Sequence, residues 1–166
     1  SSLGVNILPS KGKLCNFDCI YCECGWNADG KADRKFPSFA SVREALEHRI
    51  KGLKAEGTAV DSITFSGNGE PTLHPDFPAI VEVVLRLRDM YYPEAKVSVL
   101  SNATMIWKEE VREALKKVDN PILKIDASED GLIQMVNKPV GHYELDEIKK
   151  NLRDLNGNFV LQTIFF

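Results

Sequence analysis

Four cysteines crowd into Cys15-Asn16-Phe17-Asp18-Cys19-Ile20-Tyr21-Cys22-Glu23-Cys24. The first three form a CxxxCxxC pattern. Thiolates are soft ligands, and three this close can converge on one inorganic centre but cannot complete a four-cysteine site. Only Glu23 separates Cys24 from Cys22, which leaves little chain to reach another corner, so Cys24 reads as a bystander. A structural zinc knuckle is the competing reading. That site pairs two CxxC-like halves, or cysteines with histidines at ligand spacing, and His48, His74 and His142 show no such spacing. The spacing is also too tight to staple a fold with disulfides, and Ser1–Val5 lacks a charged, apolar leader. Clustered thiols of this kind point to a reducing cytoplasm.

A second segment, Thr64-Phe65-Ser66-Gly67-Asn68-Gly69-Glu70-Pro71-Thr72, is a glycine turn carrying a carboxylate. It is not a phosphate loop, because no Gly-Lys-Ser/Thr follows. Other residues have quieter readings. Lys31, Arg34 and Lys35 belong to a solvated loop, His74 to a turn beside Pro75, and Trp107 to packing at a helix start.

Strands alternating with helices must position these residues, which predicts parallel βαβ units. Strands are expected at Leu3–Leu8, Asp61–Ser66, Lys96–Asn102, Ile122–Ala127 and Phe159–Phe166. The first long helix should start from Ser41, with Glu44 completing a capping box, and bury Val42, Leu46, Ile50 and Leu53. Helices follow over Asp76–Tyr92, Trp107–Val118, Asp130–Val136 and Leu145–Leu155. Along the strands, polar residues (Asn6, Thr64, Ser98, Asn102, Lys124, Asp126, Gln162) oppose apolar ones. That pattern predicts a sheet with one face under helices and the other lining a barrel or cleft. Active sites of such folds gather at the carboxyl ends of the strands, where the cysteine and glycine loops fall. The 166 residues are 43% hydrophobic and 27% charged, ordinary usage for one domain. No apolar stretch approaches the ~20 residues of a membrane span. A net charge of −3 argues against a broad phosphate-tracking surface.

The cysteine pattern, with Tyr21 before Cys22 and the glycine loop after the second strand, resembles the radical S-adenosylmethionine (SAM) superfamily. The wording is most similar to bacterial iron–sulfur oxidoreductases grouped with wyosine-type tRNA-modifying synthases. The resemblance implies a partial (β/α)6 TIM-like barrel, truncated here after its fifth strand, with residues 1–166 as a core domain incomplete at its C-terminus and open to trimming at its N-terminus. It implies a [4Fe–4S] cluster on Cys15, Cys19 and Cys22, with SAM on the fourth iron. Gly69 and Glu70 would take the methionine ammonium, Tyr21 would pack near the adenine, and Asn102, Lys124, Asp126 and Gln162 would contact SAM. The implied reaction cleaves SAM reductively to methionine and a 5′-deoxyadenosyl radical, which takes hydrogen from a substrate such as an RNA, a peptide or a protein. A flavodoxin- or ferredoxin-like protein would supply the electron. The alternative is a zinc- or iron–sulfur-binding structural or electron-transfer module without SAM chemistry.

Overall fold

A computed structural model describes residues 1–28 and 35–164. Lys31, Arg34 and the last two residues of the expected final strand lie outside the described residues. Five strands, β1 (Ser2–Val5), β2 (Ser62–Phe65), β3 (Lys96–Ser101), β4 (Asn120–Lys124) and β5 (Val160–Gln162), form one parallel sheet in sequential order. Between them run α1 (Phe39–Ala55), α2 (Phe77–Tyr91), α3 (Glu109–Lys117), α4 (Asp130–Val136) and α5 (Leu145–Leu152). Sequential order with right-handed crossovers places the helices on one side of the sheet. This is the winding of a barrel, left open between β1 and β5.

The two faces follow from residue alternation. Val5, Phe65 and Val99 share one register row and are buried with Ile50 of α1, Val84 of α2 and Leu115 of α3 in one apolar core. On the opposite face, Lys124 pairs in register with Gln162, so these two expected site residues are neighbours across β4 and β5. Helix α1 buries Val42, Leu46, Ile50 and Leu53, as its spacing predicts. Its cap differs: Ser38, not Ser41, is the N-cap, and its hydroxyl accepts from the Ser41 N–H at 3.2 Å. Phe39 and Ala40 extend the helix upstream, so Ser41 supplies a backbone donor to the first turn instead of closing it.

Strand β4 begins two residues earlier than the apolar run suggested and ends at Lys124, which puts Asp126 in the loop beyond. Trp107 precedes α3 and is 62% exposed, with the Lys108 ammonium 5.4 Å from its ring centroid; it is not a packing residue. His74 is buried: Nδ1 accepts from the Asp76 N–H, and Nε2 lies 3.0 Å from the Pro37 carbonyl. No helix among the described residues is long and apolar enough to cross a membrane.

Candidate iron–sulfur and SAM site

The cysteine loop is held by backbone on two sides. On one side Leu14 N donates to Asn68 O (2.9 Å) and Glu70 N to Leu14 O (3.0 Å), joining the loop to the glycine turn after β2. On the other, the segment after α4 runs antiparallel to it. Asp18 N donates to Asn137 O (2.9 Å), Ile20 N to Val136 O (2.9 Å) and Val140 N to Asn16 O (2.8 Å). The loop also folds back on Asn27, whose Oδ1 accepts from Cys15 N and whose Nδ2 donates to Phe17 O. Phe17 is the apolar anchor, buried edge-on against Tyr143 with ring centroids 5.5 Å apart.

Gly69 makes the first join possible. Its φ is 156°, and a Cβ there would lie 1.7 Å from the Leu14 carbonyl oxygen. Because the obstacle is backbone, Gly69→Ala must part the two loops. We expect a cost of about 2–3 kcal/mol, or roughly 5–10 °C in melting temperature by circular dichroism. An unchanged melt would mean that the loops do not meet this closely. Asn68 stitches the same region. Its Nδ2 donates to the carbonyls of Pro9 and Gly12, while its Oδ1 accepts from Asn6 Nδ2.

The ligand sulfurs sit among donors. Cys15 Sγ accepts from Phe17 N at 3.4 Å and lies 3.7 Å from Asn102 Nδ2, and Cys19 Sγ lies 3.3 Å from Asn137 Nδ2. The buried Lys13 ammonium is held by Asp18 Oδ1 (3.2 Å) and Gly25 O (3.1 Å). Burial, then the charge of Glu70, pushes the Cys15 thiol up to about 12. It is therefore no free nucleophile, whereas a bound metal deprotonates such a thiol outright. Cys24 is exposed, its sulfur 3.9 Å from Gly67 O.

Two expected SAM contacts, Glu70 and Asp126, also brace the loops. Glu70 is 2% exposed. Its Oε1 accepts from Thr72 N (3.1 Å), the Thr72 hydroxyl and the Ser101 hydroxyl (2.8 Å), and its Oε2 from Asn102 N (2.6 Å). Burial pushes this carboxyl up while those four donors pull it down. The side chain is thus spent on tying the glycine turn to the end of β3, and an ammonium would have to compete with protein donors. Asp126, whose side chain is fully enclosed, accepts from the Tyr21 hydroxyl, Asn137 Nδ2 (2.6 Å) and Ile164 N (3.0 Å). It ties the far side of the cysteine loop to the end of β4.

Asn102 is likewise engaged at both ends: Nδ2 donates to Asn16 Oδ1 (2.8 Å), and Oδ1 accepts from Thr104 N and Oγ1. Tyr21 packs under Lys124, whose ammonium stands 4.6 Å from the ring centroid. Lys124 also pairs with Asp126, Nζ to Oδ1 at 3.9 Å, while Gln162, its register neighbour on β5, is exposed. Sequence reasoning missed Lys13 and Asn137. Nothing in the sequence points to Asn137, 118 positions from Cys19. Lys13 is close to Cys15 but looks like any loop lysine.

Comparison with known proteins agrees with this geometry. The radical SAM superfamily model matches residues 10–165. The chain belongs to the radical SAM superfamily. It is 31% identical over 159 residues to a UPF0026 protein of Methanocaldococcus jannaschii, covering 95% of this chain and 46% of that one. It is also 31% identical over 138 residues to a UPF0026 protein of Helicobacter pylori, covering 83% and 42%. The chain thus spans about half the length of these relatives.

Two solved radical SAM enzymes share the fold. BtrN, in complex with AdoMet and 2-DOIA, superposes with a TM-score of 0.62 at 17% identity, over 98% of this chain and 56% of that one. The enzyme anSMEcpe, with bound AdoMet and a peptide, gives 0.64 at 21%, over 97% and 42%. The sheet is therefore a partial TIM-like barrel of the radical SAM type. Superfamily members use a [4Fe–4S] cluster and SAM, and those are this chain's cofactors.

The residues fit them. A single tetrahedral zinc would draw its sulfurs to about 3.8 Å from one another, from a Zn–S length of ~2.3 Å. Among the described residues the cysteines form no set of three ligand atoms within 4.8 Å; the set that does is the exposed His142, Glu144 and Glu147. Three sulfurs on one pinned loop, two of them met by N–H donors, suit an iron–sulfur cluster.

Proposed function

We propose that the chain is the catalytic core of an enzyme that cleaves SAM reductively and removes hydrogen from a substrate. The observation that carries this reading is the pinning of Cys15, Cys19 and Cys22 on one loop between the glycine turn and the segment after α4, in a chain whose residues 10–165 match the radical SAM model. When bound, the reduced cluster supplies one electron to the SAM sulfonium, giving methionine and the hydrogen-abstracting 5′-deoxyadenosyl radical. The three cysteines hold the cluster. Gly69 and Glu70 take the methionine ammonium of SAM, and the Glu70 carboxylate also holds the glycine turn to the end of β3. Lys124, held by Asp126 and the Tyr21 ring, and its register neighbour Gln162 contact SAM. Tyr21, Asp126 and Asn102 position the loop and these groups. A flavodoxin- or ferredoxin-like reductant, a cytoplasmic location and an RNA, peptide or protein substrate complete the proposal, with residues 1–166 as the core of a longer protein.

The test is anaerobic incubation with SAM and dithionite. We expect about four irons per chain and formation of 5′-deoxyadenosine together with methionine. Stoichiometric zinc and no product would overturn the proposal in favour of a structural module.

A further inference from the structure

Lys13 sits inside the cysteine loop, its side chain 2% exposed. Among the described residues no other lysine or arginine is so enclosed. Burying an ammonium costs several kcal/mol unless it is well compensated. Here the compensation is one carboxylate oxygen and one carbonyl. The oxygen, Asp18 Oδ1, also accepts from Asn27 N (2.7 Å) and Nδ2 (2.9 Å), so its charge is shared three ways. Both partners lie within the cysteine loop: Asp18 stands between Cys15 and Cys19, and Gly25, just past Cys24, donates its N–H to Cys22 O at 3.2 Å. The ammonium is thus enclosed within the segment that carries the three cysteines, anchored on both sides of Cys19 and Cys22.

We propose that Lys13 sets the reduction potential of the cluster, its fixed positive charge favouring uptake of the electron. The inference rests on the reading of the three cysteines as cluster ligands. The step is a one-electron transfer from the flavodoxin- or ferredoxin-like donor, with no bond made or broken and no proton moved. It adds a negative charge to a centre that already carries three thiolates. In an enclosed site the field of a nearby unit charge is only partly screened. Removing the charge should therefore raise the ratio of oxidised to reduced cluster about tenfold at a fixed potential. For one electron that is a fall of about 59 mV in midpoint.

The test is a redox titration of the holoprotein without SAM, followed by the paramagnetic resonance of the reduced cluster, after iron and sulfide have been counted. Lys13→Met keeps the length of the side chain and removes its charge, and we expect the lower midpoint. Lys13→Arg keeps the charge and should titrate near the parent. Asp18→Asn removes the opposing charge and should raise the midpoint, which keeps the test open if Lys13→Met fails to take up iron. An unchanged midpoint in Lys13→Met or in Asp18→Asn would overturn the proposal. So would an equal fall in Lys13→Met and Lys13→Arg, since packing would then be the cause. A parent protein that takes up no cluster would overturn the ligand reading as well, a result already visible in the iron count.

Discussion

Cys19→Ala should abolish both cluster assembly and SAM cleavage. Cys19 stands at the middle of the trio, and its carbonyl closes the turn that brings Cys22 round, accepting from Cys22 N at 3.0 Å. Alanine keeps that backbone bond and the ladder from Ile20 N to Val136 O, so the fold should survive. What disappears is one sulfur of three. Loss of an outer partner of a metal site typically costs 10–100-fold, and loss of a ligand should exceed that. We expect 5′-deoxyadenosine formation to fall more than about 100-fold, with iron content reduced to background and the thermal melt close to the parent's. Cys24→Ala is the control: its exposed sulfur lies at the rim, and iron content and turnover should hold. Retained SAM cleavage in Cys19→Ala would remove this residue from the ligand set.

The ligand loop was legible in the sequence because its information is local. Three cysteines at fixed offsets describe a site whatever surrounds them, and the helical spacing of Val42, Leu46, Ile50 and Leu53 likewise needs only its own period. Alternation also placed Lys124 and Gln162 on one face, and the register of β4 with β5 confirms it. Burial was what the sequence hid. A carboxylate after a glycine turn, or after a strand, looks equally suited to a ligand and to a brace. Glu70 and Asp126 are braces because donors from β3, the cysteine loop and the segment after α4 arrive around them. Those donors come from 11 to 105 positions away, and no local pattern announces them. Asn137 shows the same limit. Its Nδ2 lies within 3.3 Å of Cys19 Sγ, the Tyr21 hydroxyl and Asp126, while its buried Oδ1 has no hydrogen-bond partner. The fold bears that unsatisfied carbonyl in an amide whose other end touches a ligand sulfur, a pairing visible only in three dimensions.

Glu70→Ala separates the brace from the ligand contact. If the carboxylate served the SAM ammonium alone, the variant would bind SAM weakly but keep its iron and its melt. The geometry predicts otherwise. Removing the carboxylate leaves Thr72 N and Asn102 N without their acceptor in a site closed to water, together with the hydroxyls of Thr72 and Ser101. Breaking a buried network of this kind costs about 3–5 kcal/mol, or roughly 6–20 °C for a chain of this length. The glycine turn should then loosen from β3, and with it the Glu70 N to Leu14 O bond that holds one edge of the cysteine loop. Iron content should therefore fall along with the melting temperature. Glu70→Gln should be intermediate. Its amide oxygen can stay at the Oε1 position and satisfy Thr72 and Ser101, but its NH2 then faces the Asn102 N–H, donor against donor. A Glu70→Ala protein that melts like its parent with a full complement of iron would return this carboxylate to SAM and leave the join between the glycine turn and β3 to the backbone alone.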